Sequence, residues 1–330
     1  PATGMVSGTI DRSASVGGPY TVTVTATDDG GASTQQSFVW TVANPAPTAV
    51  DDISTIGENG LGSGDVTPGT AGQDSDPDGD PLTVSAVNGA AANVGAAVGG
   101  SAGGSFTIAA DGSYSFDPGA AFDDLGAGQT RTSSVTYTIS DGEGGTSTAS
   151  VTVTVTGAND APVAGTLPAQ AANDGGTVLI ATASAFSDVD SGDTLVFSAT
   201  GLPDGLTIDA ATGEILGTLA NNASQTGPYA IVVTATDAGG LTATAGFTLS
   251  VANLPPVAVD DSASTAEDTP LAGSVATNDS DTGPDSDPLS YSVVNGPANG
   301  TLTLFADGRY NYTPNADFTG TDSFTYRVDD

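Results

Sequence analysis

Residues 2–47 recur without a gap as residues 211–256, and 22 of the 46 positions are identical. A chain that copies itself at an offset of 209 must fold as recurring units, so this repeat constrains the architecture before any local pattern does. The offset persists through AVDD at 49–52 and 258–261 and through Glu58 and Glu267. Gaps then enter but the words survive: AVNG at 86–89 answers VVNG at 293–296, and ADGSYSFDP at 110–118 answers ADGRYNYTP at 306–314. Two different domain types, A and B, therefore alternate in the order A, B, A, B.

Three similar Pro-containing linkers mark the borders: ANPAP at 43–47, ANDAP at 158–162 and ANLPP at 252–256. Joints this short keep neighbours close and nearly in line, unlike a Gly/Ser tether. The expected domains are 1–45 (the second half of an A domain), 46–159 (a B domain), 160–254 (an A domain) and 255–330 (a B domain short of its last strand). The partial domains lead to the expectation of a window from a longer continuous chain. Strand exchange between subunits into a filament is the alternative.

Within the repeats the pattern is that of strands. Tyr20, Val22, Val24 and Ala26 alternate with threonines, as do Val151, Val153 and Val155. One apolar and one hydroxylated face suit a half-buried antiparallel strand. Turn words such as DDGG, DGEGG and DAGG punctuate these runs, and no segment carries helical periodicity. The expectation is all-β, a string of Greek-key β-sandwiches. The Ala/Gly run at 89–104 has no period and reads as a loose loop.

Charge removes whole classes of function. There are 39 acidic residues against four arginines (Arg12, Arg131, Arg309, Arg327), no lysine, and a net charge of −35. Such a chain has no electrostatic footprint for nucleic acid or for an anionic membrane surface. Without cysteine or histidine it has no thiol nucleophile, imidazole base or Cys/His zinc site. No apolar run is long enough to cross a membrane, so no direct membrane insertion is expected, and the N-terminus has neither the basic nor the apolar region of a signal peptide. Met5 is the only methionine, as in a mature product or a fragment, and the composition fits an exported bacterial protein.

The acids gather at Asp74, Asp76, Asp78 and Asp80 (DSDPDGD), at Asp188, Asp190 and Asp193, and at Asp279, Asp281, Asp285 and Asp287. In each group the last Asp stands two residues before a leucine (Leu82, Leu195, Leu289), so the loops are equivalent. Adjacent carboxylates repel by about 1 kcal/mol per pair even at water-like dielectric. Four arginines cannot neutralise them, whereas a hard divalent cation with six to eight oxygen ligands would. Solvated Asp/Gly turns are the plain alternative for any single loop, and three equivalent loops argue against it. DSDPDGD imitates the start of an EF-hand, but Ser85 stands where the twelfth-position Glu belongs, which excludes that reading.

The words FSDVDSGDTLVFSATGLPDGLTIDAATGEILGT at 186–218 and YAIVVTATDAGG at 229–240 resemble the dystroglycan-type cadherin-like family of Ig domains. The AVDD openings, the ADG-x-Y words and TYTISDGEGG at 136–145 make the B domains similar to the bacterial cadherin-like and VCBS-type repeats of large secreted, RTX-type adhesins. The resemblance implies tandem Ig/cadherin-like Greek-key sandwiches in an extended array, with Ca2+ at the joints. Carried onto matching positions, it implies one ligand set of Asn44, Asp51, Asp74, Asp76 and Asp141, alongside Asp78 and Asp80. A second set is Asn159, Asp160, Asp188, Asp190 and Asp237, with Glu58 from the preceding domain. A third is Asn253, Asp260, Asp279, Asp281 and Asp330. ANPAP and ANLPP lack the acidic residue of ANDAP, so ions there could instead lie wholly within one domain.

The function implied is a calcium-stiffened stalk segment of a secreted bacterial adhesin or extracellular fibre, at the cell surface or in a biofilm. Its partners would be calcium, neighbouring repeats of the same chain and other fibre subunits. One alternative is a glycan- or protein-binding module using Trp40, Tyr310 or Tyr312, although their strand positions favour packing. Another is a non-catalytic spacer of a secreted enzyme. Glutamates occur only at 58, 143, 214 and 267, with no context for a buried acid of raised pKa, so no enzyme is expected.

Overall fold

The structure, a computed structural model, describes residues 4–67, 73–281 and 287–330; Asp285 of the third acidic loop lies outside them. Contacts divide the chain into two compact units, Pro1–Asp160 with Val189–Gly192, and Ala161–Asp188 with Asp193–Asp330.

The first unit opens with a hairpin of β1 (Tyr20–Thr27) and β2 (Ser33–Trp40), paired Tyr20 to Trp40 through Thr27 to Ser33. A sandwich follows. Its strands are β3 (Asp52–Gly57), β4 (Gly62–Asp65), β5 (Thr83–Val87), β6 (Ala97–Gly99), β7 (Ser105–Ile108), β8 (Ser113–Asp117), β9 (Thr130–Ser140) and β10 (Thr146–Thr156). They form two four-stranded sheets, ordered β3-β10-β9-β5 and β4-β8-β7-β6. The alternation in β10 works as its pattern requires: Val151, Val153 and Val155 are fully buried between the sheets while the intervening threonines are half-exposed. Each such valine contributes about 1.5–3 kcal/mol by leaving water. Phe106, Phe116, Phe122 and Tyr137 complete this core. β3 pairs with β10 in parallel, Asp52 to Val151 through Gly57 to Thr156, so the first strand of the domain closes on the last.

The Ala/Gly run differs from its loop reading. Ala97–Gly99 forms β6 and pairs with β7. The glycines there are demanded by packing: a Cβ on Gly104 (φ +73) would lie 2.5 Å from the Phe116 ring, and one on Gly100 would lie 2.8 Å from Phe106. Close approach of backbone to aromatic rings leaves no hydrophobic period in the sequence, which is why the segment reads as irregular.

The second unit starts with β11 (Val163–Ala164), β12 (Gln170–Asn173), β13 (Thr177–Ala181), β14 (Phe186–Ser187), β15 (Val196–Thr200), β16 (Leu206–Ile208), β17 (Glu214–Thr218), β18 (Tyr229–Thr236) and β19 (Thr242–Ala252). The sheets are β12-β19-β18-β15, β13-β17-β16 and the short pair β11-β14. The repeat is legible atom by atom: Tyr20 Oη donates to Ala14 O at 2.8 Å, and Tyr229 Oη to Ala223 O at 2.8 Å. Val24 and Phe38 are 45% and 46% exposed in the hairpin, whereas their counterparts Val233 and Phe247 are 0% and 8% exposed beneath a second sheet. The same strand residues thus become core only where a second sheet packs against them.

The unit ends with β20 (Leu271–Ser274), β21 (Ser290–Asn295), β22 (Gly300–Leu304), β23 (Arg309–Pro314) and β24 (Thr325–Asp329), in sheets β20-β23-β22 and β21-β24. Val275, Tyr291 and Tyr310 form its small core.

Candidate metal centre

The AVDD words acquire a structural meaning first. The hydroxyl of buried Tyr137 on β9 shares its one proton among three acceptors within reach, Val50 O (2.8 Å), Asp52 Oδ2 (2.9 Å) and Asp74 Oδ1 (3.1 Å). Tyr326 on β24 repeats this with Val259 O (3.1 Å), Asp261 Oδ2 (3.2 Å) and Asp279 Oδ1 (3.2 Å). The second Asp of AVDD therefore ties the domain's first segment to its tyrosine, together with the first Asp of the acidic loop. Burial first, and then the Asp52 carboxylate, push the Tyr137 hydroxyl far above its ordinary pKa. Asp52 and Asp74 are both raised, chiefly because burial disfavours their charged forms. Sequence reasoning missed this network, since nothing local links Asp52 to a tyrosine 85 residues away.

Asp51 sits beside it and faces elsewhere. Its Oδ1 accepts from Ser150 N–H and Oγ–H, both at 2.8 Å, and these bonds hold its carboxyl below the ordinary range. Asp260, its counterpart, is exposed.

The loop between Asp74 and Asp80 is the acidic centre of the first unit. Asp76 Oδ1 accepts the N–H groups of Asp78 (3.0 Å), Gly79 (3.0 Å) and Asp80 (3.2 Å), and Gly79 supplies the positive φ that such a turn needs. That turn brings carboxylate oxygens of Asp76, Asp78 and Asp80 within 4.8 Å of one another. Asn44, from the linker, donates to Asp141 Oδ2 at 2.8 Å, while Asp141 Oδ1 accepts from Glu143 and Gly145 N–H. Buried Asp80 lies in the field of Glu143, Asp76 and Asp141; desolvation first, and then these charges, raise it. Asp78 is pushed up to about 6 by its hydrogen bond with Asp76, by desolvation and by the charges of Asp76 and Asp80. Asp76 is lowered: desolvation opposes, but the Asp78 side chain and the three N–H donors outweigh it.

Arg12 also reaches this loop, donating to Gly79 O at 2.8 Å, and Ser15 hydrogen-bonds Glu143. One protein cation thus does approach the cluster, contrary to the expectation that none could. The other three arginines pair with Asp124, Asp307 and Asp329. A single guanidinium against Asp76, Asp78, Asp80 and Asp141 leaves most of the repulsion standing.

The donor set fits a hard cation. Asn44 Oδ1, Asp74 Oδ2, Asp76 Oδ2, Asp78 Oδ1 and Asp80 Oδ2 are all buried with no hydrogen-bond partner among the described residues. Buried carboxylate oxygens left bare cost several kcal/mol, of order 1–3 per group, and oxygen-only ligation relieves that cost.

Of the remaining candidates, Glu58 is 4% exposed and accepts from Ala158 N–H at 2.7 Å; desolvation raises it. Asn159 Nδ2 donates to Asp160 O, and Asp160 N–H donates to Asp190 Oδ2 at 2.9 Å. Within the loop 188–193, carboxylate oxygens of Asp188, Asp190 and Asp193 come within 4.8 Å of one another. Asp237 is 5% exposed and accepts from Leu241 N–H. In the last domain Asp279 Oδ1 accepts from Val259 N–H (2.7 Å), Asp281 Oδ2 from Asp287 N–H (2.7 Å), and their other oxygens, Asp279 Oδ2 and Asp281 Oδ1, are buried with no partner among the described residues. Asn253 and Asp330 are exposed. Of the aromatics, Tyr310 is buried, Tyr312 donates to Asp322 (2.9 Å), and Trp40 is 42% exposed.

Residues 44–157 match the family model for the bacterial cadherin-like domain, residues 1–43 and 161–252 that for the putative Ig domain, and residues 253–330 that for the bacterial Ig domain. The chain is a tandem of cadherin-like and Ig-like domains. No curated protein matches it. Among solved structures, this cadherin-like and Ig-like tandem is similar to human CDH23 EC21-23 (18% identity, TM-score 0.46, 83% of this chain and 91% of that one). It is similar to mouse cadherin-23 EC22-24 as well (17% identity, TM-score 0.45, 83% and 89%). A further likeness is to an endo-fucoidan hydrolase from glycoside hydrolase family 107 (14% identity, TM-score 0.28, 87% and 42%). Cadherin-like and Ig-like domains of bacteria are structural modules of the extracellular adhesion type and are typically non-catalytic. Among the described residues no helix is long and apolar enough to cross a membrane.

Proposed function

We propose that this chain is a stalk segment of a secreted bacterial adhesin or surface fibre, and that Ca2+ bound by its acidic loops stiffens the tandem. The observation that carries the reading is the set of buried, partnerless oxygens on Asn44, Asp74, Asp76, Asp78 and Asp80. Asn44 belongs to the linker and the aspartates to the sandwich that follows, so one ion held between them would fix the angle at which the chain enters that sandwich. The parallel pairing of β3 with β10 adds to this, because it brings the chain into the domain at one end and out at the other. The clusters around Asp188, Asp190 and Asp193, and around Asp279 and Asp281, would serve in the same way.

Calcium titration by calorimetry, with melting followed in calcium and in chelator, tests the proposal. An ion that binds only the folded state adds about 2.7 kcal/mol at a hundredfold excess over Kd. Magnesium is expected to do less, because it gives up its waters reluctantly. The pair Asp76→Asn and Asp80→Asn is expected to remove one site from the stoichiometry. Identical melts with and without calcium would sink the reading.

A further inference from the structure

Within the first unit, the hairpin β1–β2 runs into the sandwich through residues that are pinned one after another. Asn44 Nδ2 donates to Asp141 Oδ2 at 2.8 Å. Buried Pro47 lies so close to Gly145 that a Cβ there would stand 3.0 Å from Pro47 Cδ. Thr48 and Ser75 exchange two backbone bonds of 2.8 and 3.0 Å. A hairpin tethered only at 44–48 would still swing about that point, and a second contact closes the swing. It is made by the 3-10 turn Arg12–Ser15, which precedes β1. Asp11 caps this turn, its Oδ1 accepting Ser13 N–H (3.0 Å) and Oγ–H (2.6 Å), and Tyr20 Oη donates to Ala14 O at 2.8 Å. The turn so fixed presents two side chains to the acidic end of the sandwich: Arg12 Nη1 donates to Gly79 O at 2.8 Å, and Ser15 Oγ donates to Glu143 Oε2.

We infer that the turn 11–15 and the acidic end of the first sandwich form a metal-independent interface, a clasp in which the Arg12 guanidinium is the resident counter-ion of the loop 74–80 and which monovalent salt opens. Three observations carry this. The other three arginines pair with acids close to them in sequence, Asp124, Asp307 and Asp329, whereas Arg12 spans 67 residues to reach the sandwich. It arrives among Asp76, Asp78, Asp80, Asp141 and Glu143, yet it bonds a backbone carbonyl and takes none of the bare carboxylate oxygens of that loop. The clasp and a divalent ion would therefore use different atoms of one loop. Finally, the clasp is particular to this copy. In the second copy of the repeat Ala220 and Asn221 stand where Asp11 and Arg12 do, and the turn Ala223–Gln225 has neither the cation nor a side-chain cap. Attraction between an exposed guanidinium and several carboxylates is screened as the Debye length falls from about 10 Å at 0.1 M salt to about 3 Å at 1 M, which is why salt opens the contact. This inference does not rest on calcium.

The test uses the 330-residue chain in chelator. It has no cysteine, so spin labels can be placed at Thr21→Cys on β1 and Ser115→Cys on β8, both exposed, and the distance between them read by pulsed electron resonance. One narrow distance is expected at low salt. Arg12→Gln is expected to raise the share of molecules outside that peak about threefold to fivefold, the weight of one exposed charge contact, and 1 M sodium chloride is expected to do the same to the parent while adding little to the variant. Arg12→Lys keeps the charge and should lie nearer the parent than Arg12→Gln does. Hydrogen exchange over β9–β10 should be the same in all three proteins, which separates an opened clasp from an unfolded sandwich. A parent that is broad in chelator at low salt, or an Arg12→Gln variant as narrow as the parent, would overturn the inference. If calcium then narrows parent and variant alike, the ion reading stands while the clasp falls. If the clasp behaves as described and calcium changes nothing, the clasp stands without the ion.

Discussion

Replacing Tyr137 with phenylalanine deletes one oxygen and leaves the ring in place, which isolates the network that ties the AVDD word to the acidic loop. That oxygen donates within 3.1 Å to Val50 O, Asp52 Oδ2 and Asp74 Oδ1, and Tyr137 is 0% exposed. Asp74 keeps its bond from Val50 N–H, but the Asp52 oxygen loses its only described donor in a partly desolvated place. Removing one partner so that a buried acceptor is stranded costs about 1–3 kcal/mol, and a charged acceptor lies at the upper end. The expected loss for Tyr137→Phe is therefore about 2–3 kcal/mol. Tyr326 makes the same three bonds, but Val259 and Asp261 are exposed and water replaces the lost donor, so Tyr326→Phe is expected to cost about 0.5–1 kcal/mol. A chain of several domains does not unfold in one step, so a global melt would blur the two. Hydrogen exchange read over β9–β10 and over β23–β24 separates them. Equal losses in the two domains, or a loss below about 0.5 kcal/mol at Tyr137, would refute the assignment of that energy to the buried acceptors.

Acidity gives a second check. Asp78 stands at about 6 in the fold against an ordinary 3.8, and Asp52, Asp74, Asp80 and Glu58 are raised with it. Between about 3.8 and 6 the folded state then binds more protons than the unfolded one, so stability falls as pH rises through that window. The carboxyls held low, among them Asp51, Asp124 and Asp209, act only below their ordinary value and do not oppose this. In chelator the melting temperature of the first unit should decline from pH 4.5 to pH 7, and a rise over that interval would contradict the burial of these groups. Gly104→Ala should destabilise the first sandwich by about 2 kcal/mol or more, since its Cβ would sit 2.5 Å from Phe116 at a positive φ. A neutral result in urea titration would show that the ring can step aside.

The strands of this chain were legible because they are half-buried and so carry the alternation that burial imposes, as Val151 to Thr156 do. The acidic loops were legible through repetition. What stayed hidden depends on distance in the chain or on the absence of side chains. Neither the Tyr137–Asp52 tie nor the arrival of Arg12 at Gly79, across 67 residues, leaves a local mark. The β6 edge is hidden because glycine and alanine have no face to alternate. Asp51 and Asp74 look alike as acids beside a strand, yet one caps Ser150 and the other holds a tyrosine, and only the register of β10 decides which is which.

The closure of the first strand on the last has a mechanical side. Tension on a tethered domain enters through the segment before β3 and leaves through the segment after β10. Because those two strands run parallel, the opposed pulls act along the ladder in shear. The bonds between Asp52 and Gly57 on one side and Val151 and Thr156 on the other must then fail together rather than open one at a time, as an antiparallel hairpin pulled from its free ends would. Forced unfolding is governed by the barrier rather than by equilibrium stability. Pulled in this direction, the sandwich of β3–β10 would resist along its strands, whatever its resistance to heat.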